Sequence, residues 1–120
     1  MSAPAGLYNI VADQGSTFSR IILWRDPAKK PILLRGYSAR MKVRSATSSP
    51  TVVLELTTEN GRISLGETNG QISLLITDEV MATIPSDKYV YDLEMVAPDS
   101  ATYVYKLLYG NFVVRAEVTR

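Results

Sequence analysis

Gly36-Tyr37-Ser38-Ala39-Arg40-Met41-Lys42-Val43-Arg44 alternates without a break. Tyr37, Ala39, Met41 and Val43 fall on one side, and Ser38, Arg40, Lys42 and Arg44 on the other. Successive strand side chains face opposite sides of a sheet, so the stretch predicts a strand with one dry face and one wet, basic face. A dry face needs a second layer over it. The segments on either side read as strands able to supply that layer.

Upstream, residues 1–6 are small, include Pro4 and read as a flexible N-terminal arm; residues 7–120 read as a single domain. Residues 7–13 suit a short first strand, closed by the turn cluster Asp13-Gln14-Gly15-Ser16. In residues 17–25, Phe18, Ile22 and Trp24 share one face, while Ile21 and Leu23 occupy the other. Apolar residues on both faces predict a strand covered on both sides, or one whose outer face is used in contact. Pro27 and Pro31 make the next segment a loop, since each fixes φ and withholds a donor.

Downstream, residues 51–57 alternate again with Val52, Leu54 and Leu56 inward. Asn60-Gly61 predicts a hairpin turn, with Ile63 and Leu65 in the return strand. A second Asn-Gly, at Asn69-Gly70, precedes a strand with Ile72, Leu74 and Ile76 inward. The period then changes. Thr77 can cap a helical turn, Asp78 and Glu79 suit its positive end, and Pro85 stops it. Tyr89, Tyr91, Leu93 and Met95 mark the inner face of the following strand. Residues 102–109 form another strand, with Leu107-Leu108 disturbing its alternation as a bulge would. Gly110 interrupts, and residues 112–118 close the chain.

The expected fold is therefore all-β: an antiparallel immunoglobulin-like β-sandwich of about eight strands, with one short helical turn near residues 78–84. In such sandwiches a tyrosine near the start of the penultimate strand bonds back to the preceding corner, and Tyr89 stands where that tyrosine belongs. The alternative is an ordinary core tyrosine. With no cysteine, the Cys-Trp-Cys framework of true immunoglobulin domains is missing.

Composition narrows the function classes. The chain has 120 residues, enough for one domain with a real core. Net charge +1 gives no overall field to recruit nucleic acid or an anionic membrane. Without histidine or cysteine, the commonest general base, thiolate chemistry and disulfides are excluded. The opening Met1-Ser2-Ala3-Pro4-Ala5-Gly6 lacks the basic patch and apolar run of a signal peptide, so synthesis and retention in a cytosol are expected unless an assembly carries the protein elsewhere.

Arg40, Lys42 and Arg44 could form a phosphate track, but a solvated sheet face is the plainer reading. In the expected strand order the stripe lies against Asp92 and Glu94, with Glu55 on its other flank. Asp92/Glu94 and Asp78/Glu79 are the carboxylate pairs to consider for hydrolysis or calcium, yet neither sits in an acidic, glycine-containing loop. Arg20, on the face of Phe18 and Trp24, is expected to stack or snorkel. Trp24 reads as core, with a partner's hot spot as the alternative. No catalytic, cofactor-binding or metal-binding residue is assigned, no cofactor is implied, and an enzyme is not expected.

Taken together, Gly15-Ser16-Thr17-Phe18-Ser19-Arg20 leading to Trp24-Arg25-Asp26, then Ile32-Leu33-Leu34-Arg35-Gly36-Tyr37-Ser38-Ala39-Arg40-Met41, Leu54-Glu55-Leu56-Thr57-Thr58-Glu59-Asn60-Gly61 and Lys88-Tyr89-Val90-Tyr91-Asp92-Leu93-Glu94 resemble small virion structural proteins of tailed bacteriophages. The chain is also similar to the immunoglobulin-like N-terminal domain of phage upper baseplate proteins, from about Tyr8 to Thr119. These are fold motifs, and they carry no catalytic or ligand residue. The resemblance implies a structural protein in the tail or baseplate of a virion, an adaptor or accessory subunit. It would bind other virion proteins and copies of itself, and neither nucleic acid nor membrane. A capsid decoration or neck protein is the alternative within that class. Sheet edges, loops and the segments 1–8 and 112–120 are the expected docking elements. A carbohydrate- or host-surface-binding module is the alternative of another class. It rests on Tyr103, Tyr105 and Tyr109, which share a face if no bulge separates Tyr105 from Tyr109.

Overall fold

Residues 38–44 form the strand that their alternation demands. Ala39, Met41 and Val43 are buried, while Arg40 is exposed and Ser38, Lys42 and Arg44 are partly so. The computed structural model describes residues 6–98 and 104–118. Its elements run β1 (Gly6–Leu7), β2 (Ile10–Asp13), β3 (Phe18–Leu23), β4 (Ser38–Arg44), β5 (Val52–Thr57), β6 (Ile63–Gly66), β7 (Gln71–Ile76), α1 (Asp78–Met81), β8 (Asp87–Val96) and β9 (Val104–Arg115).

Two sheets face each other. One is ordered β1-β9-β8-β4-β5, with β2 continuing the β1 pairing on β9; the other is β3-β7-β6. The pairings are antiparallel except those of β1 and β2, which run parallel to β9. The runs β9-β8-β4-β5 in one sheet and β3-β7-β6 in the other match strands G-F-C-C′ and B-E-D, in that order, of the variable-type immunoglobulin sandwich. The fold class expected from the pattern is the one observed.

The core fills the space between the inner faces. Met41, Leu56, Leu93, Met95 and Phe112 come from the larger sheet, and Ile72, Leu74 and Ile76 from the smaller; all are 0–1% exposed. Burying one such side chain fully contributes about 1.5–3 kcal/mol. No polar or charged residue is buried among the described residues. Trp24 is partly buried, edge-on to Tyr37 at 5.9 Å and tilted against Tyr105 at 6.0 Å, so it packs as core.

The helical turn forms as its residues predict. Thr77 Oγ1 accepts from Val80 N–H at 3.3 Å, with Asp78 and Glu79 in the first turn. Met81 and Ile84 from this segment join the core. Beyond Pro85 the chain enters β8, and the Tyr89 hydroxyl donates back to the Pro85 carbonyl at 2.6 Å. This is the tyrosine corner expected at that position.

Three expectations need correction. Asn60-Gly61 is not a hairpin turn: it carries the chain from β5 in one sheet to β6 in the other. A type I′ turn needs positive φ at both central residues, and here only Gly61 has it (+79°). Asn60 spends its side chain elsewhere: Oδ1 accepts from the Thr57 and Arg62 N–H groups, and Nδ2 donates to the Glu55 carbonyl. The true hairpin joins β6 and β7 at the second Asn-Gly, where Gly66 pairs with Gln71.

Where they are described, the segments expected as arms, 1–8 and 112–120, are in part held in the sheet. Residues 1–5 and 119–120 lie outside the described residues, but Gly6–Leu7 pairs with β9 and Phe112 is wholly buried. Edge pairing holds Gly6–Leu7, and core packing holds Phe112 and Val114, so these residues are not free arms. Finally, Gly110 does not end a strand; β9 runs through it. A Cβ there would come within 2.6 Å of the Tyr8 carbonyl oxygen, so glycine is what lets the first segment lie this close to β9.

Candidate functional site

The outer face of the larger sheet carries the basic stripe. Register places Arg40 opposite Glu94, and Lys42 between Asp92 and Glu55, as expected. Arg40 Nε donates to Glu94 Oε1 at 2.7 Å. Asp92, however, is taken by Lys106 of β9 at 3.3 Å. Lys42 makes no ion pair within 4.0 Å among the described residues. Arg44 is held differently again: its Nη1 donates to the Ser49 and Pro50 carbonyls at 3.0 and 2.9 Å. Two carbonyls fix the guanidinium without cancelling its charge, leaving Nε and Nη2 as donors.

Lys106 is the residue that sequence reasoning missed. Its reach depends on a bulge. β8 and β9 shift register between Leu93 and Glu94, so that Leu93 pairs with Leu108 and Glu94 with Lys106. Leu107 is the extra residue, in the doublet whose broken alternation signalled it. The same bulge decides the tyrosines. Tyr105 pairs with buried Met95 and packs on Trp24, while Tyr109 pairs with Asp92 on the outer face and is 44% exposed. Tyr103 lies outside the described residues. Tyr105 and Tyr109 therefore do not share a face.

On this outer face lies a groove of about 680 Å³. It follows from side-chain lengths across the strands. Val90 and Asp92 on β8 are short and form the floor; Leu7 and Tyr109 rise on one side, Lys42 and Arg44 on the other. The register row Leu7, Tyr109, Asp92, Lys42 spans three strand spacings, about 14 Å.

The outer face of the smaller sheet is the opposite in character. Its outward positions are Ser19, Ile21 and Leu23 on β3, Gln71, Ser73 and Leu75 on β7, and Ser64 and Gly66 on β6. None is charged. Ile21, Leu23 and Leu75 are each about half exposed. Of the two readings for this strand, a covered one and one with an outer face used in contact, the described residues supply no cover.

The remaining candidates are structural in geometry. Arg20 stacks on the Phe18 ring, 5.1 Å from its centroid, and donates to the Tyr8 hydroxyl at 2.8 Å. Asp92 and Glu94 each meet a cation, and Asp78 and Glu79 open the helical turn. Among the described residues, no three acidic side chains gather as a metal site. The Arg115 guanidinium, hydrogen-bonded to Asp13 at 2.7 Å, holds the Asp13 carboxyl below its usual range and is itself held up. Burial pushes the Tyr91 and Tyr89 hydroxyls up; Tyr91 donates to the Tyr8 carbonyl at 2.5 Å. Among the described residues, no helix is long and apolar enough to cross a membrane.

No protein-family model matches the chain, and no curated protein matches it.

Proposed function

We propose that the protein is a structural subunit of a tailed-phage virion, an adaptor or accessory protein of the tail or baseplate that works by docking to copies of itself and to other virion proteins. The phage assignment rests on the resemblance of its turn and core motifs. The docking role rests on one observation: the uncharged outer face of β3-β7-β6, with Ile21, Leu23 and Leu75 exposed.

A second copy of the chain is the occupant this face fits. Serine and glutamine side chains both donate and accept, so they pair with copies of themselves, as Lys or Asp cannot. With no charge on the face, two copies meet without like-charge repulsion. Size sets the strength. Three strands about 4.8 Å apart and about 20 Å long offer roughly 300 Å² per copy, well under the ~800 Å² per partner of a standard stable interface. The contact is weak in isolation and gains force from repetition within a particle.

Immunogold labelling of purified particles from the source host tests the assignment. Label at the tail or baseplate is the expected result. Absence of the protein from intact particles, by labelling and by mass spectrometry, overturns it.

A further inference from the structure

The groove on the other sheet is not explained by assembly. It lies on the face opposite the uncharged one and has a volume of about 680 Å³. That is within the range of small-ligand sites, about 300–1,000 Å³. Three cations and one carboxylate line it, and Lys106 neutralises the carboxylate, Asp92. Among the described residues, what remains is Lys42 without an ion pair and Arg44 positioned by two neutral carbonyls. Across the floor stands Tyr109, 44% exposed.

We infer that this groove binds a short acidic saccharide, a carboxylated sugar of the uronic- or sialic-acid type. Its carboxylate meets Lys42 and Arg44, and the apolar C–H face of a ring stacks on Tyr109. The Asn111 carboxamide, at the groove's edge, offers a donor and an acceptor to hydroxyls. An acidic peptide fits less well. A peptide joins a sheet through backbone hydrogen bonds at an edge, whereas this groove overlies the middle of a sheet whose backbone groups are already paired. A nucleic-acid strand needs a run of phosphate contacts and several stacking rings, and here the described residues place two cations without an ion pair, Lys42 and Arg44, and one exposed ring, Tyr109. The inference stands apart from the assembly role: a virion subunit on its uncharged side can present this face outward.

Titration of the ¹⁵N-labelled full chain with tetragalacturonate tests it, with neutral maltotetraose, a tetraglutamate peptide and a thymidine tetranucleotide as comparison probes. Tetragalacturonate is expected to shift the amides of Asn111, Val90 and Lys42, and to bind about 10-fold or more tighter than maltotetraose. Tyr109→Ala and Lys42→Gln should each weaken it at least about 5-fold with the amide spectrum otherwise retained; both side chains are at the surface, so the fold survives the change. Equal binding of tetragalacturonate and maltotetraose, stronger binding of the peptide or nucleotide, or indifference to Tyr109→Ala overturns the inference. So does the absence of any shift at about 10 mM tetragalacturonate, a concentration that reveals even millimolar affinity.

Discussion

Replacing Tyr89 by phenylalanine removes one atom and tests the corner on which the order of the sheets turns. The hydroxyl donates to the Pro85 carbonyl at 2.6 Å, four residues upstream. A hydrogen bond of this kind contributes about 0.5–1.5 kcal/mol net, and leaving a buried acceptor unpaired costs about 1–3 kcal/mol. Pro85 itself is exposed, so water can reach its carbonyl and the loss falls at the low end. The ring stays in its buried place. The expected loss is therefore about 1–2 kcal/mol, a fall in Tm of roughly 4–8 °C for a chain of this size. Urea unfolding followed by Trp24 fluorescence reads it, since this single tryptophan is partly buried against Tyr37 and Tyr105. The midpoint should drop with the slope unchanged. Tyr109→Phe, at an exposed position, is the control and should move stability by less than about 0.5 kcal/mol. If the two variants are equally silent, the corner bond contributes nothing and the reasoning fails; a changed slope places the effect in the unfolded chain.

Other outcomes follow from the same contacts. The hydroxyls of Tyr89 and Tyr91 are both raised above 10.0 by burial, so their neutral forms favour the folded state. That contribution is complete below pH 10 and is lost as pH rises from 10 through the higher folded values, so stability should fall steeply above about pH 10. Absorbance at 295 nm should show Tyr91 ionising only with unfolding, and Tyr89 ionising later than an exposed tyrosine. Gly110→Ala places a Cβ near the Tyr8 carbonyl at a glycine with φ +156°, and should cost about 1–3 kcal/mol. Hydrogen exchange should then quicken at Tyr8, whose N–H donates to the Tyr109 carbonyl, before it quickens in β4.

How much of this was legible beforehand depends on range. The alternation of β4 and β8 fixed which side chains go inward, because one sheet face is dry and a slip of one residue would reverse it; in β5 it held for Leu54 and Leu56, while a bulge pairs Val52 with Arg44 and packs Val53, not Val52, against the core. Tyr89 and the Thr77 cap were legible because both act within a few residues. The partner of Asp92 was not. Lys106 reaches it from β9, past a bulge whose existence the Leu107-Leu108 doublet signals but whose register only the fold sets. For the same reason Tyr103, Tyr105 and Tyr109 read as one platform if no bulge intervened, when the bulge turns Tyr105 inward and leaves Tyr109 at the groove. Asn60-Gly61 misled because asparagine's side chain can cap a sheet-crossing turn as readily as its backbone can make a hairpin. The groove was invisible because its walls and floor come from four strands, set by the lengths of side chains that meet only after pairing.

Sedimentation equilibrium, run from micromolar to millimolar concentration on the wild-type chain and on Ile21→Lys/Leu75→Lys, tests the docking claim most directly. Both changed side chains stand exposed on the uncharged face, so the fold should persist. The wild type should rise from 13.2 kDa toward twice that mass at the upper concentrations, while the charged variant stays at 13.2 kDa throughout. A wild type that remains monomeric up to about 1 mM, or a variant that associates equally well, contradicts the account.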